Sequence, residues 1–354
     1  MRDYLWASPV GRIRIIEKGL LTRSDLAKVL DAGNLEGALL ALRDSFYGPY
    51  VSKLENPDMF EVALQEAVKA VHDKVMKLAP EPLVIAAYRA RHDFHNLKVL
   101  LKAEMLRVPP EEGAFSSLGN LTPEELKGAL EPVRRGEAPA APQELEPDSV
   151  AESAYKVTCE LAAVYAQVLE QDQTRQLTSF EVDSLIDKSY YAWAASVYSK
   201  SGYDALVDII RSEIDIVNLK MAVRARRLGI SSPDFEGILI PGGSIDTARL
   251  AEGYSKGYAG IASAYKDTRL ERLAARGVSL AQKGQPLTGW ERECDNAMVR
   301  LVRQARKISL GPEPVFGYMF GRELEVRNLR IILAGKQSEI SEHEISERLR
   351  ESYA

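Results

Sequence analysis

Histidine and cysteine, the residues that most often bind zinc, are sparse in this 354-residue sequence. It has four histidines, His72, His92, His95 and His343, and only His92 and His95 lie close enough to share one helix face. None follows a glutamate by three residues, which argues against the Glu-x-x-His pattern of carboxylate-bridged di-metal bundles. Because no cysteine or third histidine lies near the His92/His95 pair, packed or solvated side chains are favoured over a zinc site.

The cysteines and glycines give no catalytic pattern either. Cys159 and Cys294 lie in helical patterns, where a buried inert thiol is common, although the sequence alone leaves a Cys–His nucleophile pair open. Two cysteines cannot form a disulfide framework, so we expect a reducing compartment. There is no Gly-x-x-x-x-Gly-Lys-Ser/Thr loop and no Gly-x-Gly-x-x-Gly after a strand. We therefore expect no catalytic residue, no cofactor and no metal.

One six-residue pattern, acid–apolar–x–Asn–Leu–base, occurs three times. The residues that define its copies are Asp93, Asn96 and Lys98, then Asp215, Asn218 and Lys220, and finally Glu325, Asn328 and Arg330. At 100° per residue on a helix, each Asn falls inside an apolar arc, with the acid about 60° and the base about 200° away. The pattern predicts a buried Asn beside a carboxyl group, with the base directed towards solvent.

A buried Asn must have hydrogen-bond partners, because an unsatisfied buried polar group costs about 1–3 kcal/mol. One interpretation is that each Asn, with its acid, clamps a neighbouring helix or loop and fixes the packing register. The other is that each Asn contacts a ligand. Three copies favour the structural interpretation, since active sites are rarely triplicated. Arg89 and Arg211, four residues before the acids, are placed to pair with Asp93 and Asp215.

Two further signals recur upstream of each motif in the same order. An aromatic–Glu pair lies 36, 38 and 38 residues before the Asn, at Phe60-Glu61, Phe180-Glu181 and Trp290-Glu291. Further upstream, Thr or Asp stands where it can cap a first helical turn, at Leu21-Thr22, Leu121-Thr122 and Ile245-Asp246. The sequence therefore predicts a triplicated unit with boundaries at 1–112, 113–236 and 237–354.

The elements that position these motifs are predicted to be helices. Apolar residues recur at three- and four-residue spacing, as in 26–42 and 60–71, whereas period-two runs joined by Asn-Gly or Asp-Gly turns are missing. We expect an all-α fold of three similar helical bundles in tandem. A Pro/Ala-rich insertion at 131–149 is predicted to be a flexible excursion in the second unit.

Composition narrows the classes of partner. The chain is 45% hydrophobic and 27% charged, and its 46 basic and 51 acidic residues give a net charge of −5, which argues against nucleic acid. The basic cluster at 224–227 is interpreted as complementing a helix dipole, with an acidic partner left open. The longest apolar run, 83–88, is far shorter than the ~18–20 residues that cross a bilayer, and no secretory signal is recognisable. We expect a soluble chain that another protein would hold at any membrane.

A helical chain with three copies of Asp/Glu-x-x-Asn-Leu-Lys/Arg resembles the C subunit of the archaeal and bacterial V-type (A-type) ATPases, the counterpart of the eukaryotic d subunit. The resemblance extends from residues 4–7 to Arg330, and the insertion at 131–149 departs from the family pattern. It implies three similar bundles arranged around a pseudo-threefold axis as a funnel. It also implies a peripheral position on the cytoplasmic face of a membrane.

The resemblance further implies a non-catalytic rotor protein. In that family the protein sits on the membrane proteolipid ring, and its socket receives the tip of the central stalk, made of the D and F subunits. It transmits torque between ATP hydrolysis or synthesis and ion translocation. Lys98, Lys220 and Arg330 are candidates by charge for these contacts, although a solvated face is favoured. The alternatives are a helical scaffold or adaptor unrelated to a rotary motor, and a helical enzyme with a cryptic site.

Overall fold

The computed structural model describes residues 3–111, 113–142 and 145–354, and in this part of the chain the fold is all-α, with no β-strand. The prediction of the fold class is therefore confirmed. The helices are α1 (Ala7–Ile16), α2 (Arg23–Leu30), α3 (Leu35–Ala41), α4 (Gly48–Val51), α5 (Phe60–Leu78), α6 (Pro82–Leu106), α7 (Pro123–Arg134), α8 (Val150–Arg175), α9 (Ser179–Ser201), α10 (Asp204–Leu228), α11 (Ser232–Ile238), α12 (Thr247–Ser255), α13 (Gly257–Ala264), α14 (Glu271–Gln282), α15 (Thr288–Val302), α16 (Glu313–Gln337) and α17 (Glu342–Ser346).

The helices pack into two compact units. One unit joins both ends of the chain, Met1–Leu78 and Ala275–Ala354, and the other is Ala79–Ala274. The repeat boundaries predicted at 112/113 and 236/237 do not coincide with the edges of these units. The division into three repeat units stays a prediction.

The helix-start signals lie where α2, α7 and α12 begin. Thr22 and Thr122 each form a reciprocal capping box, with Asp25 and Glu125 respectively. The side chain of Asp246 accepts a hydrogen bond from the N–H group at the start of α12. Such caps satisfy backbone donors that have no partner within the helix, and each stabilises its helix by about 1 kcal/mol.

Each motif copy lies in a helix of 25 residues, namely α6, α10 or α16. All three helices end in the same way. A residue with left-handed backbone conformation follows each helix: Arg107, Gly229 or Glu339. The N–H of the next residue then bonds to the carbonyl five residues back, in the pairs Val108–Ala103, Ile230–Ala225 and Ile340–Gly335. This is the Schellman arrangement, so the chain makes the same local turn after each motif helix.

The predicted excursion at 131–149 is helical at its start. Residues 131–134, with Pro132 among them, form the last turn of α7. Pro132 is tolerated there because the carbonyl that loses its helical partner belongs to Gly128, which is exposed and open to water. The described residues after this turn, 135–142 and 145–149, form no helix, and residues 143 and 144 of the insertion lie outside the described part.

Candidate functional site

The three motif asparagines are fully buried, and each binds both backbone groups of one distant residue. The side-chain NH2 donates to the carbonyl of that residue, and the side-chain oxygen accepts its N–H. The pairs are Asn96 with Ser116, Asn218 with Ile240, and Asn328 with Arg350, at N···O distances from 2.8 to 3.2 Å. Because both polar atoms of each asparagine bind backbone, the geometry supports the clamp interpretation over a ligand contact.

The motif acid holds the chain further on, just before a capped helix. Asp93 accepts the N–H groups of Asn120 and Leu121, each at 2.9 Å, and the side-chain NH2 of Asn120 at 2.7 Å. Asp215 accepts the N–H groups of Ser244 and Ile245 at 3.2 and 3.1 Å, and also the Ser244 hydroxyl. We call the acid and the asparagine of one motif helix, each holding a point elsewhere in the chain, a clamp. In these two copies both points lie in the segment that follows the motif helix.

The third clamp closes on the beginning of the chain. Glu325 accepts the N–H of Leu21, the residue before the cap of α2, and it also binds the Tyr47 hydroxyl at 2.8 Å. The hydroxyl of Ser352, near the other end of the chain, donates to the Leu21 carbonyl at 2.8 Å. The segment that precedes α2 is therefore held by the last motif helix, as the segments before α7 and α12 are held by α6 and α10.

A glycine lies against the acid in two of the three clamps. A Cβ atom on Gly119 or Gly243 would stand 2.3 Å from Oδ1 of Asp93 or Asp215. Gly19, the corresponding residue before α2, has more room, since its Cβ would lie 3.7 Å from the Arg322 guanidinium. Our sequence reasoning missed these residues. The available signal was the glycine that stands three residues before each helix cap, at 19–22, 119–122 and 243–246.

Gly243→Ala is expected to lower the free energy of unfolding by about 1–3 kcal/mol, because the added methyl group must displace the buried Asp215 carboxylate. Gly19→Ala adds the same methyl group at an ordinary van der Waals distance and is the matched control. Urea unfolding of the purified chain measures both variants. Equal losses for the two variants would contradict the close contact assigned to Gly243.

The clamp carboxyls are desolvated by burial. Burial raises the pKa of Asp93 from 3.8 to about 6, against the opposing effect of its hydrogen bonds from Asn120 and Leu121. Burial also raises the pKa of Asp215 and that of Glu325, while the Arg322 guanidinium acts in the opposite direction on Glu325. The native state therefore binds the Asp93 proton more tightly than the unfolded chain does.

The free energy of unfolding should consequently fall as the pH rises from about 3.8 to about 6, where the native Asp93 ionises. The shift corresponds to about 3 kcal/mol. Asp93→Asn has no proton to lose, so its stability should change less over this range. Denaturant unfolding of both proteins between about pH 4 and pH 7 measures the difference. Parallel pH profiles would contradict the raised pKa of Asp93.

The motif bases Lys98 and Arg330 form ion pairs, whereas a solvent-directed face was expected. Lys98 Nζ lies 2.5 Å from Asp187 of α9, and Arg330 binds Glu61 of α5 through two hydrogen bonds, at 2.7 and 2.5 Å. Lys220 is half-buried on α10. Helices α5 and α9 carry the first and second aromatic–Glu pairs, so the bases of α16 and α6 contact the helices that those pairs begin. Partly exposed pairs of this kind contribute about 0–1 kcal/mol each.

The two arginines that precede the acids behave differently from each other. Arg89 donates to the carbonyls of Leu118 and Gly119, so it holds the same segment as Asp93. The pairing expected between Arg211 and Asp215 is wrong. Arg211 is exposed and lies 3.5 Å from Asp208, whereas Asp215 faces the interior of its unit.

The histidine pair is used within the first clamp. His92 Nδ1 lies 2.9 Å from the Ser116 hydroxyl, and His95 Nε2 lies 3.0 Å from the Ala114 carbonyl. Within residues 3–111, 113–142 and 145–354, no group of three His, Cys, Asp or Glu side chains could hold a metal ion. None of the helices in these ranges is long and apolar enough to cross a bilayer.

These features define an all-α protein whose three motif helices each hold other segments of the chain through a buried acid and a buried asparagine. The chain matches the family described as ATP synthase (C/AC39) subunit over residues 9–348. It is 24% identical to the C subunit of the A-type ATP synthase of Methanocaldococcus jannaschii, over 94% of this chain and 83% of the relative. It is 23% identical to the C subunit of the V-type sodium ATPase of Enterococcus hirae over 99% of both chains, and 23% identical to the C subunit of the A-type ATP synthase of Halobacterium salinarum over 96% of both.

The chain belongs to the ATP synthase (C/AC39) subunit family, since the match covers nearly its whole length. The resemblance seen in the triplicated motif is confirmed.

Proposed function

We propose that this chain is a non-catalytic central-rotor component of a rotary V/A-type ATPase. In this role it seats the central stalk on the membrane proteolipid ring and transmits torque between ATP hydrolysis or synthesis and ion translocation. Its partners would be the D and F subunits of the central stalk and the proteolipid ring. Its place would be the cytoplasmic face of the membrane, where it is held by the complex, with no span of its own and no nucleic-acid partner.

The observation that carries this proposal is the family match together with the names of the relatives. The family description names an ATP synthase subunit, and the three relatives are C subunits of an ATP synthase or of a sodium ATPase. The alternative of a helical scaffold unrelated to a rotary motor has no comparable support. The expected pseudo-threefold funnel is part of the same proposal.

The clamps supply a physical reason why such a chain suits torque transmission. A coupling element must pass on a twisting load without letting its helices slide past their connecting segments. The first two clamps each fix the segment after a motif helix at two points, through buried hydrogen bonds that each stabilise the fold by about 0.5–1.5 kcal/mol. The third clamp ties the start of the chain to the last motif helix. Close-packed interiors held in this way have low compressibility and transmit strain.

Affinity purification of the tagged chain from detergent-solubilised membranes tests the proposal. We expect a small hydrophobic proteolipid, the stalk proteins and the head proteins to co-purify, as identified by mass spectrometry. The untagged strain controls for non-specific recovery. Recovery of the chain alone, or with unrelated soluble proteins, would contradict the rotor role and favour the scaffold alternative.

Removal of residues 137–147 should leave this co-purification unchanged. The described residues of the stretch, 137–142 and 145–147, form no helix and are mostly exposed, so the deletion removes little buried surface. The same pull-down with the full-length chain is the control. Loss of the proteolipid or the stalk proteins from the deletion variant would show that the insertion is an interface.

A further inference from the structure

The second and third copies place a short helix a few residues after the end of the motif helix. In the second copy this is α11, whose Phe235 is fully buried and stacks on Tyr254 of α12 with ring centroids 3.9 Å apart. In the third copy it is α17, whose buried Ile345 packs against Gly335 of α16 so closely that a Cβ on the glycine would lie 2.6 Å from the isoleucine.

These two short helices are equivalent by position and by sequence. Phe235 and Ile345 both lie 17 residues after the motif asparagine. Both helices are capped by a serine, Ser231 or Ser341, and in both an acidic residue in the first turn directly precedes the apolar residue. The repeated pattern is therefore a serine cap, two further residues, an acid and a large apolar side chain.

In the first copy, residues 107–111 and 113–115 show no such helix. Its asparagine clamps a residue 20 positions further on, against 22 in the other copies, and the described residues between α6 and Ser116 form no helix. An open cavity of about 410 Å³ lies there instead. Its apolar lining is formed by Leu100, Ala103, Val108, Pro109, Pro110 and Leu130.

The cavity corresponds to the space that Phe235 and Ile345 fill. Ala103 stands seven residues after its motif asparagine, as does Gly335, against which Ile345 packs. Leu130 stands eight residues after its helix cap, as does Tyr254, on which Phe235 stacks. The first copy thus forms the walls of an apolar site. In the other two copies the equivalent site is filled by Phe235 or Ile345 of the same chain.

The charge of the cavity favours an acidic occupant. Arg107 and Lys127 line it, and neither has a carboxylate partner among the residues that the structure describes. The ammonium group of Lys127 lies 5.5 Å from the centroid of the Phe115 ring. The two lining carboxylates, Glu104 and Glu131, both pair with Arg134. In the third copy, Glu342 in the first turn of α17 lies 2.9 Å from Lys336 at the end of α16, so an acid at the start of the short helix pairs there with a base of the motif helix.

We propose that this cavity is a docking site for a short helix of a partner protein. The helix would present an acidic residue in its first turn, as α11 and α17 do with Asp234 and Glu342, and a large apolar residue, such as Phe or Ile, after it. The apolar side chain enters between α6 and α7, and the acid meets Arg107 or Lys127. This assignment rests on the cavity, on the equivalent sites that Phe235 and Ile345 fill, and on the charges of Arg107 and Lys127. It does not depend on the rotor role.

Fluorescence anisotropy with a labelled synthetic peptide of residues 231–239 tests the site on the full chain. Phe235 and Ile345 fill the equivalent spaces in the second and third copies, so we expect the peptide to bind at the first. We expect saturable binding that weakens about tenfold or more when the peptide carries Phe235→Ala. Filling the cavity with Ala103→Phe should abolish binding, whereas Ala259→Phe, at an exposed site on α13, should leave it unchanged.

A charge exchange tests the same site without altering its shape. Arg107→Glu should weaken binding of the original peptide, and a peptide with Asp234→Arg should restore it. Absence of saturable binding, or binding that is indifferent to Phe235→Ala and to Ala103→Phe, would overturn the proposal. A concentration-dependent dimer of the chain that Ala103→Phe abolishes would assign the cavity to a second copy and would also overturn the partner-protein assignment.

Discussion

Replacement of Arg322 by methionine should lower the free energy of unfolding by about 3–5 kcal/mol, the largest effect we expect from a single substitution. Arg322 is 1% exposed, and its guanidinium lies 4.1 Å from the Phe46 ring centroid and 2.8 Å from the Glu325 carboxylate. Glu325 is itself buried and holds the segment before α2. The substitution therefore leaves a buried carboxyl group without its charged partner.

Chemical denaturation of the purified chain measures this loss. Arg330→Met is the matched control, because Arg330 lies on the same helix and pairs with Glu61 at the surface, where about 0–1 kcal/mol is expected. Adding Glu325→Gln to Arg322→Met should recover part of the loss by removing the stranded charge. An Arg322→Met loss no larger than that of Arg330→Met would show that the buried pair does not hold the third clamp.

Asn218→Ala should lower the free energy of unfolding by about 1–3 kcal/mol. The asparagine side chain donates to the Ile240 carbonyl at 2.8 Å and accepts the Ile240 N–H at 3.0 Å, and both residues are fully buried. Without this amide, two backbone groups lose their partners in a place that water does not reach.

The melting midpoint of Asn218→Ala compared with wild type tests this expectation. Arg211→Ala, on the same helix, removes only an exposed pair with Asp208 and should change the midpoint little. An Asn218→Ala midpoint as high as that of wild type would contradict the clamp interpretation. It would mean that the N–H and carbonyl groups of Ile240 can lose their partners without any loss of stability.

The sequence predicts the helical parts of this protein well because they depend on local spacing. The three- and four-residue periodicity indicates the all-α class, and the Thr22, Thr122 and Asp246 signals lie at real helix starts. The 100° construction also places the motif asparagines in the interior, where the structure has them. These features are set within a few residues of chain.

The partners of the clamp residues could not be read in the same way, because they are determined by tertiary packing. Nothing local indicates that Asn218 binds a residue 22 positions later, or that Glu325 binds Leu21 across 304 residues. The predicted Arg211–Asp215 pair used the correct helical spacing but did not account for the different burial of the two residues. Phe180 occupies the same position in its repeat as the buried Phe60 and Trp290, yet it is 47% exposed, because its burial also depends on tertiary packing.

Some signals were present in the sequence and were not used. The glycine three residues before each helix cap marks the point where the chain passes close to the motif helix in two of the three clamps. The repeated serine-acid-apolar pattern at Ser231 and Ser341 marks the short helices, and its absence after α6 marks the cavity. Comparison of the three copies with one another, beyond the six-residue motif, would have found both.

ATP-driven ion pumping by membrane vesicles from a strain that lacks this chain is the most direct test of the proposed coupling role. Pumping should be lost while the head proteins still hydrolyse ATP, and addition of the purified chain should restore pumping without any ATP hydrolysis by the chain alone. Pumping that persists in its absence, or ATP hydrolysis by the purified chain, would contradict a non-catalytic rotor coupling.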